Sequence, residues 1–405
     1  MPKYYYAMEQ FNFDEIIDRR NTYSVKYRAL KELFGREDIT PLWVADMEFR
    51  SPECIRAKLE EYVQSGVYGY DAEPPQMKPA IQRWLLEEHG WQTQCSWISF
   101  IPGIVRGIGL AVNFFTKPGD KVVIQSPVYH PFTNVPKGNG RIVLRNPLKD
   151  GKMDLDHLDS LLTAEAPVKM MILCSPHNPG GYLWSREDLT RLAEICYRHG
   201  TLVISDEIHS DLCLWGNRDI SFASVSDKAA ENSITFGAPS KTFNIPGFAS
   251  SFSVIPNEKL AKPFYDWLEA NELNCPSVFA SVGMMTAFTE GKPWRDAALK
   301  YIEKNILYLE DKFAAFRADG VQLINPIRPQ CSYLVWLDCR NLLRRLAGKD
   351  DLQPEDQALL EDYFINKVKV GLNSGVMFGP EGLGYMRLNA GCPRSMLDFD
   401  LPQVR

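Results

Sequence analysis

No apolar run in the 405-residue chain approaches the roughly 20 residues that a membrane-spanning helix needs. The opening stretch MPKYYYAMEQFNFDEIIDRR lacks the basic-then-apolar layout of a secretory leader, so the expected location is cytoplasmic. There is no excess of basic residues; the net charge is −6. A main role on nucleic acid or an anionic membrane, which needs a basic face, is therefore not expected. No CxxC pair occurs among the nine cysteines and no HxxxH spacing among the six histidines. These read as single thiols in a reducing compartment, with no metal site. Fixed-period repeats and low-complexity tracts are missing as well. What remains is 45% hydrophobic and 24% charged, the profile of a globular protein with a large core.

Between about 98 and 255, short apolar runs alternate with amphipathic segments. Candidate strands are Lys121–Gln125, Lys169–Cys174, Leu202–Ser205, Ser233–Phe236 and Ser250–Val254. They are unbroken apolar runs, as expected of strands covered on both faces. Leu189, Leu192, Ala193 and Cys196 share one helical face, with Ser185 and Asp188 as a start signal and Gly200 as a stop. Strand, helix, strand in that order predicts a mostly parallel sheet between helices. Ligands of such sheets sit at the carboxyl ends of the strands. After about 290 the pattern changes: a long helix near 295–318, a strand at Tyr333–Leu337, a polar stretch and a helix near 355–367 predict a smaller α+β unit. The expected division is 1–50 as an N-terminal arm packing with that unit, 51–290 as the large domain and 291–405 as the small one.

Five elements fall at strand ends or helix starts. Lys241, in GAPSKTFNIPG, follows the strand Ser233–Phe236. Burial and nearby positive charge would favour its neutral amine, the form that condenses with an aldehyde. Asp206 ends the strand Leu202–Ser205, where a carboxylate can keep a pyridine nitrogen protonated; it is also a common helix cap. Asn178 lies in the Pro- and Gly-rich turn after Lys169–Cys174. Gly103, followed by Ile104 and Val105, opens an apolar helix whose free amides suit a phosphate. Tyr129 follows Lys121–Gln125 and can stack on an aromatic ring, or simply pack.

Each element alone is a weak signal; their joint order is specific. It resembles the pyridoxal-phosphate (PLP) enzymes of fold type I, the class I/II aminotransferase superfamily, over nearly the whole chain. Trp43–Phe49, Tyr68-Gly69-Tyr70, DEIHSDLCLWG from Asp206, SKTFNIPG and Arg387–Arg394 are similar to the MalY/PatB subfamily of cystathionine β-lyase-type C–S lyases. His209, and Ala249 where aminotransferases carry arginine, point the same way. The resemblance implies an aspartate-aminotransferase-like α/β fold with a mostly parallel seven-stranded sheet, and pyridoxal 5'-phosphate as cofactor. It implies Lys241 as Schiff-base lysine and base, Asp206 on the ring nitrogen, Asn178 and His209 at the ring's 3-oxygen, and Tyr129 stacked on the ring. Gly103, the amides of Ile104 and Val105, and Ser240 would hold the phosphate. Tyr70 would reach the phosphate of a second subunit, implying a homodimer with shared sites. Arg387, helped by the Ala45 backbone and Asn178, would fork the carboxylate of an amino-acid substrate.

The implied reaction is α,β-elimination from cystathionine or another S-substituted cysteine, giving pyruvate, ammonia and a thiol. An aminotransferase of the same fold, or a regulatory binding protein with secondary lyase activity, are the alternatives. Two departures from the subfamily stand out. Tyr27-Arg28 replaces a Trp-Asp or Tyr-Asp pair, and the chain ends soon after Arg394. The leaving group is not legible: Tyr4–Tyr6, Phe11–Phe13 and the segment near 270–277 carry no decodable motif, and the tyrosine-rich start reads as a packed strand.

Overall fold

The structure, a computed structural model, describes residues 11–404. Seven strands form one sheet in the order Ile98–Ile101, Ser251–Val254, Ser233–Gly237, Leu202–Asp206, Val168–Cys174, Lys121–Ser126, Ile142–Pro147. Neighbours pair in parallel from Ser233–Gly237 to Ile142–Pro147, while Ser251–Val254 runs antiparallel to both of its neighbours. All five candidate strands are present. Ile98–Ile101 and Ile142–Pro147 are additional strands: the first is only four residues long, and the second is a half-exposed edge whose apolar stretch, Ile142 to Leu144, gives way at once to Arg145 and Asn146.

The unbroken apolar runs follow from two-sided burial. Side chains alternate across a strand, so Val122, Ile124, Met170, Ile172 and Ile204 pack on one face with Ile108, Phe132 and Phe264. Val123, Met171, Leu173 and Val203 pack on the other with Leu158, Leu189 and Leu192. The helix Arg186–Arg198 is capped as its sequence suggested, with the Ser185 hydroxyl accepting from the Asp188 amide at 3.0 Å.

Beyond the long helix Lys292–Ala314 lies a four-stranded antiparallel sheet in the order Asn325–Ile327, Leu334–Asp338, Tyr385–Asn389, Asn373–Ser374. The expected helix near 355–367 runs as Gln357–Asp362 and then loosens into a π turn over Tyr363–Val368. Thr40–Pro41 pairs in parallel with Val370–Gly371. One apolar cluster joins Phe13, Trp84, Met284, Leu309, Val335 and Leu388, so it runs from the helices beside the large sheet to the small sheet. Tyr4–Tyr6 lie outside the described residues. Phe13 is buried against Phe49, Trp294 and Tyr301, with ring centroids 4.9, 5.7 and 5.5 Å away.

Candidate active site

The carboxyl ends of the parallel strands open on a cavity of about 250 Å³. Ala45, Gly103, Ile104, Val105, Tyr129, Asn178, Asp206, His209, Ser240 and Lys241 all line it. Ten of the twelve residues singled out in the sequence thus meet in one place, although they come from six separate stretches of chain. The other two do not touch this cavity. Arg387 stands behind Asn178, and Tyr70 is fully exposed on the surface.

At one end, Gly103 turns the chain into the helix Ile104–Phe115 with φ +103°, a conformation that side chains rarely adopt. A Cβ there would meet no atom within 4 Å. The first amides of the helix have no intrahelical partner and carry the positive end of its dipole. Ser240 lines the same space, and so does Arg106, which belongs to no motif in the sequence. Arg106 donates to the Pro102 carbonyl at 3.1 Å. Ala249, in the position where aminotransferases place an arginine, also lines the cavity, so among the described residues Arg106 supplies the guanidinium here.

At the other end, Asp206 is buried. One of its oxygens accepts from the Ile208 amide at 3.1 Å; among the described residues the other accepts nothing. Burial pushes its carboxyl up to about 7, against the pull of the Ile208 amide and Lys241. A cationic ring nitrogen in contact would supply the missing partner. The buried His209 has an Nδ1 without a hydrogen bond, and burial with Lys241 and Arg387 pulls its ring down to about 3. It is a neutral imidazole at physiological pH.

Lys241 donates to the Ala45 carbonyl at 2.5 Å. Burial pulls its amine down to about 8; Asp46 and Asp206 pull it back up, while Arg387 and Lys26 add to the depression. Two contacts fix its turn. Thr242 donates to Asp211 at 2.9 Å, and Asp211 also accepts from the Trp84 indole at 2.8 Å. Asn244, at φ +54°, exchanges bonds with Met47 and donates to the Phe49 carbonyl, tying the 45–49 segment to the lysine turn. The expected Ala45 contribution therefore changes character: its carbonyl is taken by Lys241 and by Tyr333, whose hydroxyl donates at 2.9 Å. Only its amide is left for a substrate.

Arg387 is buried, and among the described residues it makes no salt bridge. Its guanidinium donates to Asn178 Oδ1 at 3.0 Å, the Trp43 carbonyl at 3.0 Å and Asn373 Oδ1 at 2.6 Å. Asn373 meets it because the two residues are cross-strand partners. The Arg387 Nε is buried without an acceptor. A buried cation with spare donors and no carboxylate is costly alone, and suits an incoming anion. Tyr333 and Asn373 carried no sequence signal, since each reaches the site from a strand of the small sheet or its flank.

The donor set fits a phosphorylated pyridine aldehyde: free amides and a hydroxyl at one end, an unsatisfied carboxylate at the other, an amine of lowered basicity alongside and an aromatic ring at Tyr129. Past Lys241 and Ala45 a second cavity of about 600 Å³ opens, lined by Arg19, Lys26, Asp46, Glu48 and Asn244. Lys26 bridges Asp46 at 2.8 Å and Glu48 at 2.7 Å.

Comparison with known proteins agrees with this geometry. The family model described as aminotransferase class I and II matches residues 39–398. The chain is 42% identical to cystathionine beta-lyase PatB of Bacillus subtilis, over 97% of this chain and 99% of that one. It is 33% identical to protein MalY of Escherichia coli, over 96% of each. The solved structure of cystalysin from Treponema denticola, which contains a pyridoxal 5'-phosphate cofactor, matches with a TM-score of 0.87 at 30% identity, covering 96% of each chain.

Proposed function

The chain belongs to the class I and II aminotransferase family, and from that premise we propose that it is a PLP-dependent carbon–sulfur β-lyase acting on S-substituted cysteines. The observation that carries this reading is the meeting of the Lys241 amine, the Asp206 carboxylate and the Gly103 helix start around one cavity. With the cofactor bound, Ile104, Val105, Ser240 and Arg106 would hold its phosphate, Tyr129 would cover its ring, Asn178 and His209 would be the partners of its 3-oxygen, and Asp206 would keep its ring nitrogen protonated. When bound, the cofactor supplies an electron sink for negative charge at the substrate Cα.

The protein's own groups do the rest. Arg387 takes the substrate α-carboxylate with its unused N–H groups, and Asn178 and Asn373 hold the guanidinium in place. That fixes Cα beside Lys241. The Lys241 amine, near 8, is partly neutral at physiological pH and removes the Cα proton. A thiolate then leaves Cβ, and hydrolysis yields pyruvate and ammonia. The second cavity, with its paired opposite charges, suits a leaving group that is itself an amino acid, as in cystathionine or cystine.

The same reading makes the enzyme a cytoplasmic homodimer divided at about residues 50 and 290. Nine cysteines with no CxxC pair among them support the reducing location. Exposure of Val67, Tyr68 and Tyr70 in one segment supports a subunit contact there, with Tyr70 completing the partner's phosphate site. Mixing Tyr70→Ala and Lys241→Ala proteins tests it: shared sites restore part of the activity in the hybrid. The activity itself is tested by measuring pyruvate and free thiol from a panel of S-substituted cysteines, with and without a 2-oxo acid. Turnover without the acid is expected. A strict requirement for it, with no pyruvate, makes the protein an aminotransferase instead.

A further inference from the structure

Cys213 and Cys331 are separated by 118 positions, yet their sulfurs lie 3.7 Å apart. The two residues face each other as an isolated antiparallel bridge. The flanking bonds define its type: the Leu214 amide donates to the Gln330 carbonyl at 2.9 Å, and the Ser332 amide to the Leu212 carbonyl at 2.8 Å. Cys213 and Cys331 therefore form the non-hydrogen-bonded pair, the close kind in which Cα atoms stand about 4.5 Å apart. That spacing falls within the range of roughly 4.4–6.8 Å that a disulfide spans. Side-chain rotation, without backbone rearrangement, brings the sulfurs to the bonding distance of about 2.05 Å.

The pair is asymmetric. Cys331 is fully buried, whereas Cys213 is partly exposed. The Cys331 thiol also donates to the His209 carbonyl at 2.9 Å, and His209 lines the cofactor cavity. Tyr333, two residues after Cys331, shares the Ala45 carbonyl with Lys241.

We propose that Cys213 and Cys331 are a thiol–disulfide modification site, oxidised by small-molecule disulfides, whose closure withdraws the Cys331 hydrogen bond from His209 and lowers activity. The Cys213 thiolate attacks one sulfur of a disulfide RSSR; that S–S bond breaks and RS⁻ leaves. The Cys331 thiolate then attacks the Cys213 sulfur, the protein disulfide forms and a second RS⁻ departs. The two protons released by the protein thiols are taken up by the two RS⁻. The protein loses two electrons and RSSR gains them. Burial pushes the Cys331 thiol up, which fits it for the second, resolving step rather than the first.

The proposal rests on the lyase reading only for its activity arm. The cofactor-loaded enzyme is incubated with glutathione disulfide, and non-reducing peptide mapping is read beside pyruvate release. A cross-linked Cys213–Cys331 peptide pair is expected. kcat/KM should fall roughly two- to tenfold, the change that losing one hydrogen bond of about 0.5–1.5 kcal/mol converts to. Dithiothreitol should restore it. Cys331→Ala should keep glutathione on Cys213, and Cys213→Ala should show neither cross-link nor loss. Absence of the cross-link in the wild-type protein overturns the site. A cross-link with unchanged kcat/KM, or an equal loss in Cys213→Ala, overturns its coupling to activity. A protein that releases no pyruvate in any state, yet cross-links, leaves the site standing and the lyase reading fallen.

Discussion

Lys241 and Tyr333 donate to one acceptor: the Ala45 carbonyl receives the amine at 2.5 Å and the phenol at 2.9 Å. Its two lone pairs accept both, and each bond draws on the same partial charge and so weakens the other. Tyr333→Phe leaves the whole carbonyl to Lys241 and so favours its charged form. The neutral amine is the form that attacks the cofactor aldehyde. In the wild type, reloading of cofactor-free enzyme should therefore speed up as pH rises through about 8. In Tyr333→Phe that rise should move to higher pH by up to about one unit, the equivalent of one redistributed hydrogen bond of about 0.5–1.5 kcal/mol. Growth of cofactor absorbance after mixing, followed across pH, checks this; an unshifted or downshifted profile contradicts the shared acceptor.

Asp206 sets function against stability. Its folded value of about 7 lies above the ordinary 3.8 because burial disfavours the charged form. A group raised on folding stabilises fully below its unfolded value and loses that contribution as pH rises through the folded one. Cofactor-free wild type should thus lose stability between about pH 4 and 7, and Asp206→Asn should not lose this part. The gap should reach at most roughly 4 kcal/mol, three units at about 1.36 each. Urea unfolding of both proteins at pH 4 and 8 measures it. The same variant should release pyruvate at least about a hundredfold more slowly, since an amide cannot keep the ring nitrogen protonated. A variant equally stable at both pH values relative to wild type refutes the buried-carboxyl account.

The sheet was legible because strands covered on both faces are apolar at every position, as Val122, Val123 and Ile124 show by packing alternately on opposite sides. Most of the cavity was legible for a related reason: Asp206 ends a strand, and Tyr129, Asn178 and Lys241 each follow one within a few residues. Ile142–Pro147 was hidden because its apolar stretch ends after Leu144, as suits an edge strand half in water. Tyr333 and Asn373 were hidden because nothing local requires them; Asn373 lies on a two-residue strand and acts only through its cross-strand partner Arg387. Arg106 reads like any solvent-facing helix residue, and only folding puts it on the cavity wall. The meeting of Cys213 with Cys331 likewise depends on a single bridge between distant loops.

Arg387 should govern affinity rather than turnover. Its guanidinium is held by Asn178, Trp43 and Asn373, and it carries a buried Nε with no partner. Lysine keeps the charge but cannot fork two parallel bonds to a carboxylate. Arg387→Lys should raise KM for an S-substituted cysteine roughly ten- to a hundredfold, the loss of one charge-assisted bond of about 1.5–3 kcal/mol. kcat should change only a few-fold, because the carboxylate is bound alike in ground and transition states. Initial rates over a wide substrate range separate the two constants. A collapse of kcat at unchanged KM shows that Arg387 does not hold the carboxylate.

Gly103 and Arg106 allow the two sources of phosphate affinity to be weighed against each other. The amides of Ile104 and Val105 are aimed by the Gly103 turn at φ +103°, and alanine there costs on the order of 1–3 kcal/mol of backbone strain or shifts the helix start. Gly103→Ala should therefore weaken cofactor binding by about ten- to a hundredfold, at about 1.4 kcal/mol per decade. Arg106 is an exposed side chain already engaged with Pro102, and exposed charges contribute only about 0.2–1 kcal/mol. Arg106→Gln should cost a few-fold, and that loss should shrink further in high salt as screening removes it. Cofactor titrations of both variants at low and high ionic strength decide the ranking. If Arg106→Gln proves the more damaging, charge rather than oriented amides holds the phosphate, and the arginine missing at position 249 has been replaced from the helix.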